Sequence, residues 1–196
     1  MTFLMTMLTG VLHLSPGPQS TESDEIIDGL LLRLSVEPKD VDAQAALYGL
    51  MRTPVYAYAL SILKNSHDAE DILHDAFIRV CQAASGYSFE GKPMAWIMTV
   101  TKRLCYGKLR RSSRMVELSE ETWNRLGEED ETVTAEDRVT LYACMEKLSE
   151  EERQIVVMHA VADVKHREIA AVLDLPLSTV LAKYHRALKK LRKEMH

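Results

Sequence analysis

A basic helix near the end of the chain carries residue types that bind phosphate. Lys183, Arg186, Lys190 and Lys193 recur at helical spacing and share one face, while apolar residues fill the opposite face. Residues 175–193 contain six Lys or Arg and no Asp or Glu. Cationic groups in such a row neutralise backbone phosphates, and the apolar face packs against the rest of the domain. The pattern predicts contact with nucleic acid, although a solvated amphipathic helix at the end of a bundle would carry the same charges.

The segment before this helix, Arg167 to Val180, has the pattern of a helix-turn-helix. Ala170 suits the point where two helices approach closely, and Asp174 tolerates the positive φ that the turn often requires. The basic helix is then a recognition helix for a DNA major groove. Its N-terminal hydroxyls can approach phosphate. Tyr184 fits the apolar core of the domain about as well. The candidate contacts to duplex DNA are Ser178, Thr179, Lys183, Tyr184, Arg186 and Lys190.

The net charge of −5 conceals an uneven distribution along the chain. Residues 102–114 hold six Lys or Arg and no acid, whereas residues 116–144 hold nine acids. Two basic segments are therefore separated by an acidic one. The local field, rather than the total charge, decides which partner each segment attracts.

The composition predicts an all-α protein of two small helical domains joined by a flexible acidic linker. Gly, Pro and aromatic residues are few, and no segment alternates strongly enough to predict a strand. The three cysteines, Cys81, Cys105 and Cys144, are too scattered for a disulfide framework or a zinc site, and no metal or cofactor is expected. Their odd number suits a reducing cytoplasm. The apolar run between Phe3 and Leu14 is too short to span a bilayer, so no membrane insertion is expected.

Capping and breaking residues divide the chain into helices. Pro54 is expected to kink or split a helix at 43–63, Asn65 to Asp68 form a capped turn, and Pro93 opens a helix that reaches Arg111. Ser149 to Glu152 form a capping box. A short helix is expected at 24–34, and a loop at 85–92. The predicted divisions are an N-terminal extension at 1–21, a first domain at 22–114, the linker at 115–138 and the helix-turn-helix domain at 139–196.

The two halves together resemble a bacterial RNA polymerase sigma factor of the sigma-70 family, in its extracytoplasmic-function group. Asp68 to Val80 is similar to the family's core-polymerase-binding helix, and Pro93 to Ile97 with the basic tail to Arg111 is similar to its promoter-melting helix. One helix-turn-helix is weakly specific, because many repressors have one. Both halves in this order and spacing are strongly specific. In the second half the matching runs are Leu148 to Arg153, Glu168 to Ala170, Thr179 to Val180 and His185 to Ala187.

The resemblance implies a cytoplasmic sigma factor that binds core RNA polymerase and promoter DNA and directs initiation at specific promoters. It also implies regulation by an anti-sigma factor, and no catalytic site. The alternative is a free-standing helix-turn-helix repressor or activator, which would leave residues 68–111 without a role.

The resemblance also assigns roles to residues of the first half. Acidic residues of one helix would bind core polymerase: Asp68, Glu70, Asp71 and Asp75. An acidic stripe can equally be a solvated face. In the loop at 85–92, a base flipped from the melted strand would meet Ser88, Phe89 and Lys92. Trp96 would stack on unpaired bases, unless it is a core residue. The basic side chains expected to hold the melted downstream DNA are Lys102, Arg103, Lys108, Arg110 and Arg111.

The chain departs from the family pattern at several of these positions. The family usually has Asn at the place of Arg103 and Asp at the place of Gly107. A glycine inside a helix costs about 1 kcal/mol relative to alanine. Leu181 and Ala182 replace polar or basic residues in the recognition helix, and Lys183 stands where Arg is common. Bidentate recognition of guanine is therefore less available.

Overall fold

The computed structural model describes residues 19–111 and 145–194, and all of the regular structure in these ranges is helical. The all-α prediction is therefore confirmed. The linker predicted at 115–138 lies outside the described residues. The α-helices of these ranges are α1 (Gln19–Val36), α2 (Val41–Leu63), α3 (Ser66–Ala83), α4 (Pro93–Arg111), α5 (Glu150–Ala160), α6 (His166–Leu173) and α7 (Leu177–Glu194), and a 3₁₀ turn (Ala84–Gly86) follows α3.

Local capping signals fix several of the helix boundaries. The Asn65 side chain accepts a hydrogen bond from the Asp68 N–H at 3.0 Å, at the start of α3. Ser149 and Glu152 form the predicted capping box, in which the Glu152 carboxylate accepts from the Ser149 N–H at 2.9 Å. These side chains satisfy N–H groups that the first turn of a helix leaves without partners.

Two helices differ from the sequence prediction. α1 begins at Gln19, five residues before the predicted start at residue 24 and inside the segment predicted as an extension. α2 is one unbroken helix through Pro54, with no split at that residue. Proline removes a single hydrogen bond from the helix. Almost every residue from Val55 to Leu63 is buried, so packing on all sides offsets that loss.

α2 is the central helix of the fold and contacts α1, α3, α4 and α5. Its last two turns form the junction between the two halves of the chain. Tyr58 is fully buried there, and its hydroxyl donates to Gln154 Oε1 at 3.0 Å. The Gln154 side-chain amide in turn donates to the Tyr106 hydroxyl at 3.0 Å. Polar groups that are buried in this way must be hydrogen-bonded to be tolerated.

Arg153 is the charged residue at the centre of this junction. Only 3% of it is exposed. Its Nη1 donates to the Ser61 carbonyl in α2 at 3.3 Å, while Nε and Nη2 donate to the carbonyls of Met145 and Leu148, each at 3.2 Å. One guanidinium group thus holds the end of α2 and the chain that leads into α5 in a single arrangement.

Candidate nucleic-acid interface

The basic residues of α4 divide between two faces of that helix. Lys102 Nζ donates to the Val172 carbonyl at the end of α6, at 2.8 Å. Lys108 Nζ lies 2.7 Å from an Asp68 carboxylate oxygen and 2.8 Å from one of Asp71. Both lysines are therefore engaged within the chain. The arginines predicted with them, Arg103, Arg110 and Arg111, point to another side.

These three arginines line a groove of about 670 Å³ between α3 and α4, which we call the arginine groove. Arg79 reaches it from α3. Within the described ranges, no acidic side chain forms an ion pair with any of the four. The groove is a concentrated positive patch, which suits an anionic ligand. The remaining lining residues are Gln82, Ala83, Val100, Leu104 and Gly107.

The acidic residues predicted to bind core polymerase lie along α3. Asp71 and Asp75 are exposed, and Asp68 and Glu70 are half-buried. The hydrogen bond from Lys108 holds the pKa of Asp71 below its usual value. Asp71 is therefore ionised at neutral pH and partly neutralised by a residue that was predicted to contact DNA. The sequence did not indicate that these two predicted sites touch.

Three aromatic rings cluster beside the start of α4. The Tyr87 ring centroid lies 4.7 Å from that of Trp96 and 5.1 Å from that of Phe89. Trp96 is half-buried, whereas 48% of Phe89 is exposed. Ser88 and Lys92 are exposed in the same loop. Tyr87 was not among the predicted site residues. The available sequence signal was a second aromatic residue, two positions before Phe89, in the predicted loop at 85–92.

The turn between α6 and α7 has the geometry that the sequence predicted. Asp174 adopts φ 57°, in the left-handed region, and the Leu175 N–H donates to the Ala170 carbonyl at 3.0 Å. This bond satisfies a carbonyl at the end of α6. Ala170 is buried where the helices meet. The two helices are thus held in the helix-turn-helix arrangement.

The basic side chains of α7 are only partly available to a ligand. Lys183 pairs with Glu151 and Lys190 pairs with Glu152, both on α5. Arg186 and Ser178 are exposed, and Thr179 is half-buried. Leu181 and Ala182, the departures from the family pattern, are exposed as well. His185 and Lys189 are further exposed residues that the prediction omitted. The helical spacing from Ser178 through Ala182 to these two positions could have indicated them.

Tyr184 lies inside the second half, with 7% of it exposed. Its ring centroid is 5.0 Å from that of His159 and 4.6 Å from that of His166. Of the two interpretations left open by the sequence, its burial supports the core position. The same surroundings affect His166. Burial, followed by the nearby His159 and His185, lowers the pKa of His166 to about 4.

This lowered pKa predicts acid sensitivity of the second half. A histidine with a depressed folded-state pKa contributes stability above its unfolded value of about 6.5, and that stability is lost as the pH falls from 6.5 toward 4. Because the ring is partly solvated, we expect a loss of about 1 kcal/mol. Thermal unfolding of His166→Gln between pH 7 and 4 should show a shallower decline than the wild type. His67→Gln, at an exposed position on α3, is the matched control. Identical declines for all three proteins would contradict the prediction.

Neither a metal site nor a membrane span is found in the described ranges. No three His, Cys, Asp or Glu side chains within residues 19–111 and 145–194 come together as metal ligands. Among the helices of these two ranges, none has an apolar stretch of the length that a bilayer crossing requires. Cys81 and Cys105 are free thiols, and Cys144 lies outside these ranges. Burial raises the pKa of the Cys105 thiol to about 12, which makes it unreactive.

Comparison with protein families gives two matches on the chain. The family described as "Sigma-70 region 2" matches residues 47–115, and "Sigma-70, region 4" matches residues 138–191. α1 precedes the first match, although the predicted first domain, which begins at residue 22, included most of it. The two matches follow one another in the same order as the two predicted domains.

Curated relatives agree with these matches. The chain is 33% identical over 147 residues to the "ECF RNA polymerase sigma factor SigE" of Mycolicibacterium smegmatis. The aligned residues cover 70% of this chain and 56% of that protein. It is 25% identical over 173 residues to the "ECF RNA polymerase sigma factor SigW" of Bacillus subtilis. This alignment covers 82% of this chain and 92% of the relative.

Solved structures share the fold. CnrH, solved in complex with the cytosolic domain of CnrY, has a TM-score of 0.61 at 20% identity, over 87% of this chain and 97% of CnrH. RpoE from Bartonella quintana, solved with the anti-sigma factor NepR, has a TM-score of 0.64 at 15% identity, over 79% of this chain and 96% of RpoE.

Proposed function

Since this chain belongs to the extracytoplasmic-function group of the sigma-70 family, we propose that it binds core RNA polymerase and directs transcription initiation at specific promoters. The presence of both sigma regions on one chain carries this proposal. Its chemistry is binding, with no covalent step and no active site of its own. A factor with these two partners acts in the cytoplasm.

Each half has its own task in the proposal. Residues 22–114 bind core polymerase through the acidic side of α3 and hold melted downstream DNA through α4 and the loop before it. Residues 139–196 contact the duplex upstream element through α7, where Ser178, Arg186 and Lys190 are the exposed candidates. An anti-sigma factor is a further proposed partner, because the similar sigma factor RpoE was solved in complex with the anti-sigma factor NepR.

The rival function, a free-standing repressor or activator, uses only the second half. A repressor or activator needs only a helix-turn-helix, so residues 47–115, which match sigma-70 region 2, would have no function in it. In-vitro transcription from a genomic library, with and without core polymerase, separates the two. We expect promoter-specific transcripts only when both proteins are present. Tight duplex binding without core, together with no binding to core, would favour the rival.

We expect the double variant Asp71→Lys and Asp75→Lys to bind core polymerase at least about tenfold more weakly. Reversing two exposed charges on the proposed contact surface replaces attraction by repulsion. Lys108 keeps Asp68 as a partner, and exposed ion pairs contribute at most about 1 kcal/mol, so the variant should fold.

Titration of labelled core polymerase measures this effect. The matched control is Glu22→Lys with Glu25→Lys, which makes the same charge change on exposed positions of α1. Equal core affinity of both double variants would remove α3 from the core-binding role.

A further inference from the structure

α1 packs over the loop at 85–92, which the proposed function places against the melted strand. The helix contacts both the 3₁₀ turn that begins this loop and α4, which follows it. Its inward side chains, Ile27, Leu31 and Leu34, are almost fully buried. α1 lies before residues 47–115, so the match to sigma-70 region 2 assigns no role to it. Two acidic residues of α1 nevertheless face this loop and the start of α4.

The loop at 85–92 has little backbone support of its own. The Tyr87 N–H donates to the Ala84 carbonyl at 3.3 Å, and the Glu90 N–H donates to the Ser88 carbonyl at 2.7 Å. Both bonds are local, so they shape the loop without fixing its position on the neighbouring helices. That position depends on side-chain contacts.

Tyr87 joins the loop to α1. Only 9% of this residue is exposed, and its hydroxyl is buried beside the Asp28 carboxyl group. Burial, followed by this carboxyl group, raises the pKa of Tyr87, so the hydroxyl keeps its proton. Among the described residues, neither the hydroxyl nor Asp28 Oδ1 has another hydrogen-bond partner of good geometry. Because a buried polar group needs a partner, the tyrosine and the aspartate stabilise each other in this position.

The same tyrosine ring contacts the two aromatic residues that are proposed to meet DNA. The Tyr87 ring centroid lies 4.7 Å from that of Trp96 and 5.1 Å from that of Phe89. Rings at such distances pack in preferred relative orientations. A displacement of Tyr87 would therefore move both of the surfaces on which a base can stack.

Asp24 contacts the start of α4. The residue before this helix, Lys92, has no side-chain oxygen, and the first turn contains no acidic residue, so the helix lacks a cap from its own sequence. The Met94 N–H donates instead to the Asp24 carboxylate. Burial, followed by the charge of Glu168, raises the pKa of Asp24 to about 6. At neutral pH the group is therefore mostly ionised, and its charge complements the positive end of the helix dipole.

We propose that Asp24 and Asp28 are positioning residues, through which α1 holds the start of α4 and the loop at 85–92 in the arrangement that presents their aromatic rings to unpaired bases. The inference rests on the proposed function and adds α1 to the elements that determine its downstream DNA contacts. Two acidic residues one turn apart repel each other and weaken an isolated helix. Their contacts with α4 and with the loop offset that cost.

Acrylamide quenching of Trp96 fluorescence in the full chain tests this positioning directly. Trp123→Phe leaves Trp96 as the remaining one of the two tryptophans. In that background, Asp24→Ala with Asp28→Ala should raise the Stern–Volmer constant and shift the emission to longer wavelength. Both changes are expected because the loosened loop exposes the indole to solvent.

Two matched pairs of variants identify the cause of this change. Asp24→Asn with Asp28→Asn keeps an acceptor oxygen at each position and should restore quenching close to that of the parent. Glu22→Ala with Glu25→Ala removes the same charge from exposed positions of α1 and should leave quenching unchanged. Equal quenching constants for the two alanine pairs would overturn the proposal.

Tyr87→Phe tests the same link if the Asp24 and Asp28 alanine pair does not fold. This substitution removes one oxygen and keeps the ring, so the packing of the loop is retained. Quenching of Trp96 should again rise, because the ring has lost its contact with Asp28. Parental quenching in Tyr87→Phe would overturn the link between α1 and the loop.

Transcription by the reconstituted holoenzyme relates this position to promoter choice. The measured quantity is the ratio of transcripts from a selected promoter and from the same promoter with one base of its melted element changed. Asp24→Ala with Asp28→Ala should lower this ratio about fivefold or more, the lower end of what one stacked base contributes. Core affinity and upstream binding should match those of the Glu22 and Glu25 control. A purely structural role would lower both transcripts in proportion, and that result would overturn the proposal.

The two measurements separate this inference from the proposed function. A wild-type chain that gives no promoter-specific transcript with core polymerase would refute the proposed function, and quenching would still decide whether α1 positions Trp96. Promoter-specific transcription, together with unchanged quenching and an unchanged transcript ratio in the Asp24 and Asp28 alanine pair, would overturn this inference alone.

Discussion

Arg153→Ala is expected to lower the free energy of unfolding by about 3–5 kcal/mol. The substitution removes the three N–H donors that the carbonyls of Ser61, Met145 and Leu148 accept from, and it leaves a cavity in a buried junction. The side chain is only 3% exposed, so water does not readily replace the missing hydrogen bonds. Urea denaturation of the full chain measures the effect.

Two further variants define the cause of this loss. Arg192→Ala changes an exposed arginine of α7 and should alter stability by no more than about 0.5 kcal/mol. Arg153→Lys keeps the charge but cannot reproduce the planar fork, so it should restore only part of the stability. If Arg153→Ala were as stable as Arg192→Ala, the guanidinium would not hold the junction.

Trp96→Ala is expected to slow promoter opening by about tenfold or more, while binding to the upstream duplex element stays intact. Stacking of a base on an aromatic ring contributes about 1–3 kcal/mol, and the indole next to Tyr87 is half-buried rather than enclosed. A template with a pre-melted bubble should partly restore activity, because the cost of exposing the bases has already been met. Transcription by the reconstituted holoenzyme from duplex and bubble templates of a selected promoter measures both effects.

The complementary variant is Lys183→Ala with Arg186→Ala on α7. It should weaken activity on both templates, since a bubble downstream does not replace a grip on duplex upstream. Trp96→Phe keeps an aromatic ring and is the conservative control. If Trp96→Ala opened duplex promoters normally, Trp96 would be a packing residue and the melting role would move to the loop at 85–92.

Features set by neighbouring residues were predictable from the sequence. Asn65 and Ser149 cap their helices through hydrogen bonds that span three residues. Asp174 adopts the positive φ that its own turn requires. The start of α1 was missed because Gln19 lies in a polar stretch without apolar periodicity, and periodicity was the signal used.

Features that join distant parts of the chain were not predictable. Arg153 and Gln154 belong to residue types that usually face solvent, and their partners Ser61 and Tyr58 are more than 90 residues away in sequence. The sequence placed Lys102 and Arg103 in one basic set, but adjacent residues of a helix point in different directions. Their division between the α6 contact and the arginine groove follows from the packing of α4, which the composition of the segment does not indicate.

The ion pairs of Lys108 with Asp68 and Asp71 make the two proposed surfaces of the first half thermodynamically linked. Under the proposed roles, core polymerase binds the carboxylates of Asp68 and Asp71, and a DNA strand binds the ammonium group of Lys108. Each ligand therefore breaks the same ion pairs within the chain. The ligand that binds first loses the free energy of these ion pairs, and the ligand that binds second does not. The coupling is reciprocal, and for partly exposed pairs it amounts to about 1 kcal/mol or less. The holoenzyme would then hold single strands a few-fold more tightly than the free factor does, without any movement of the backbone.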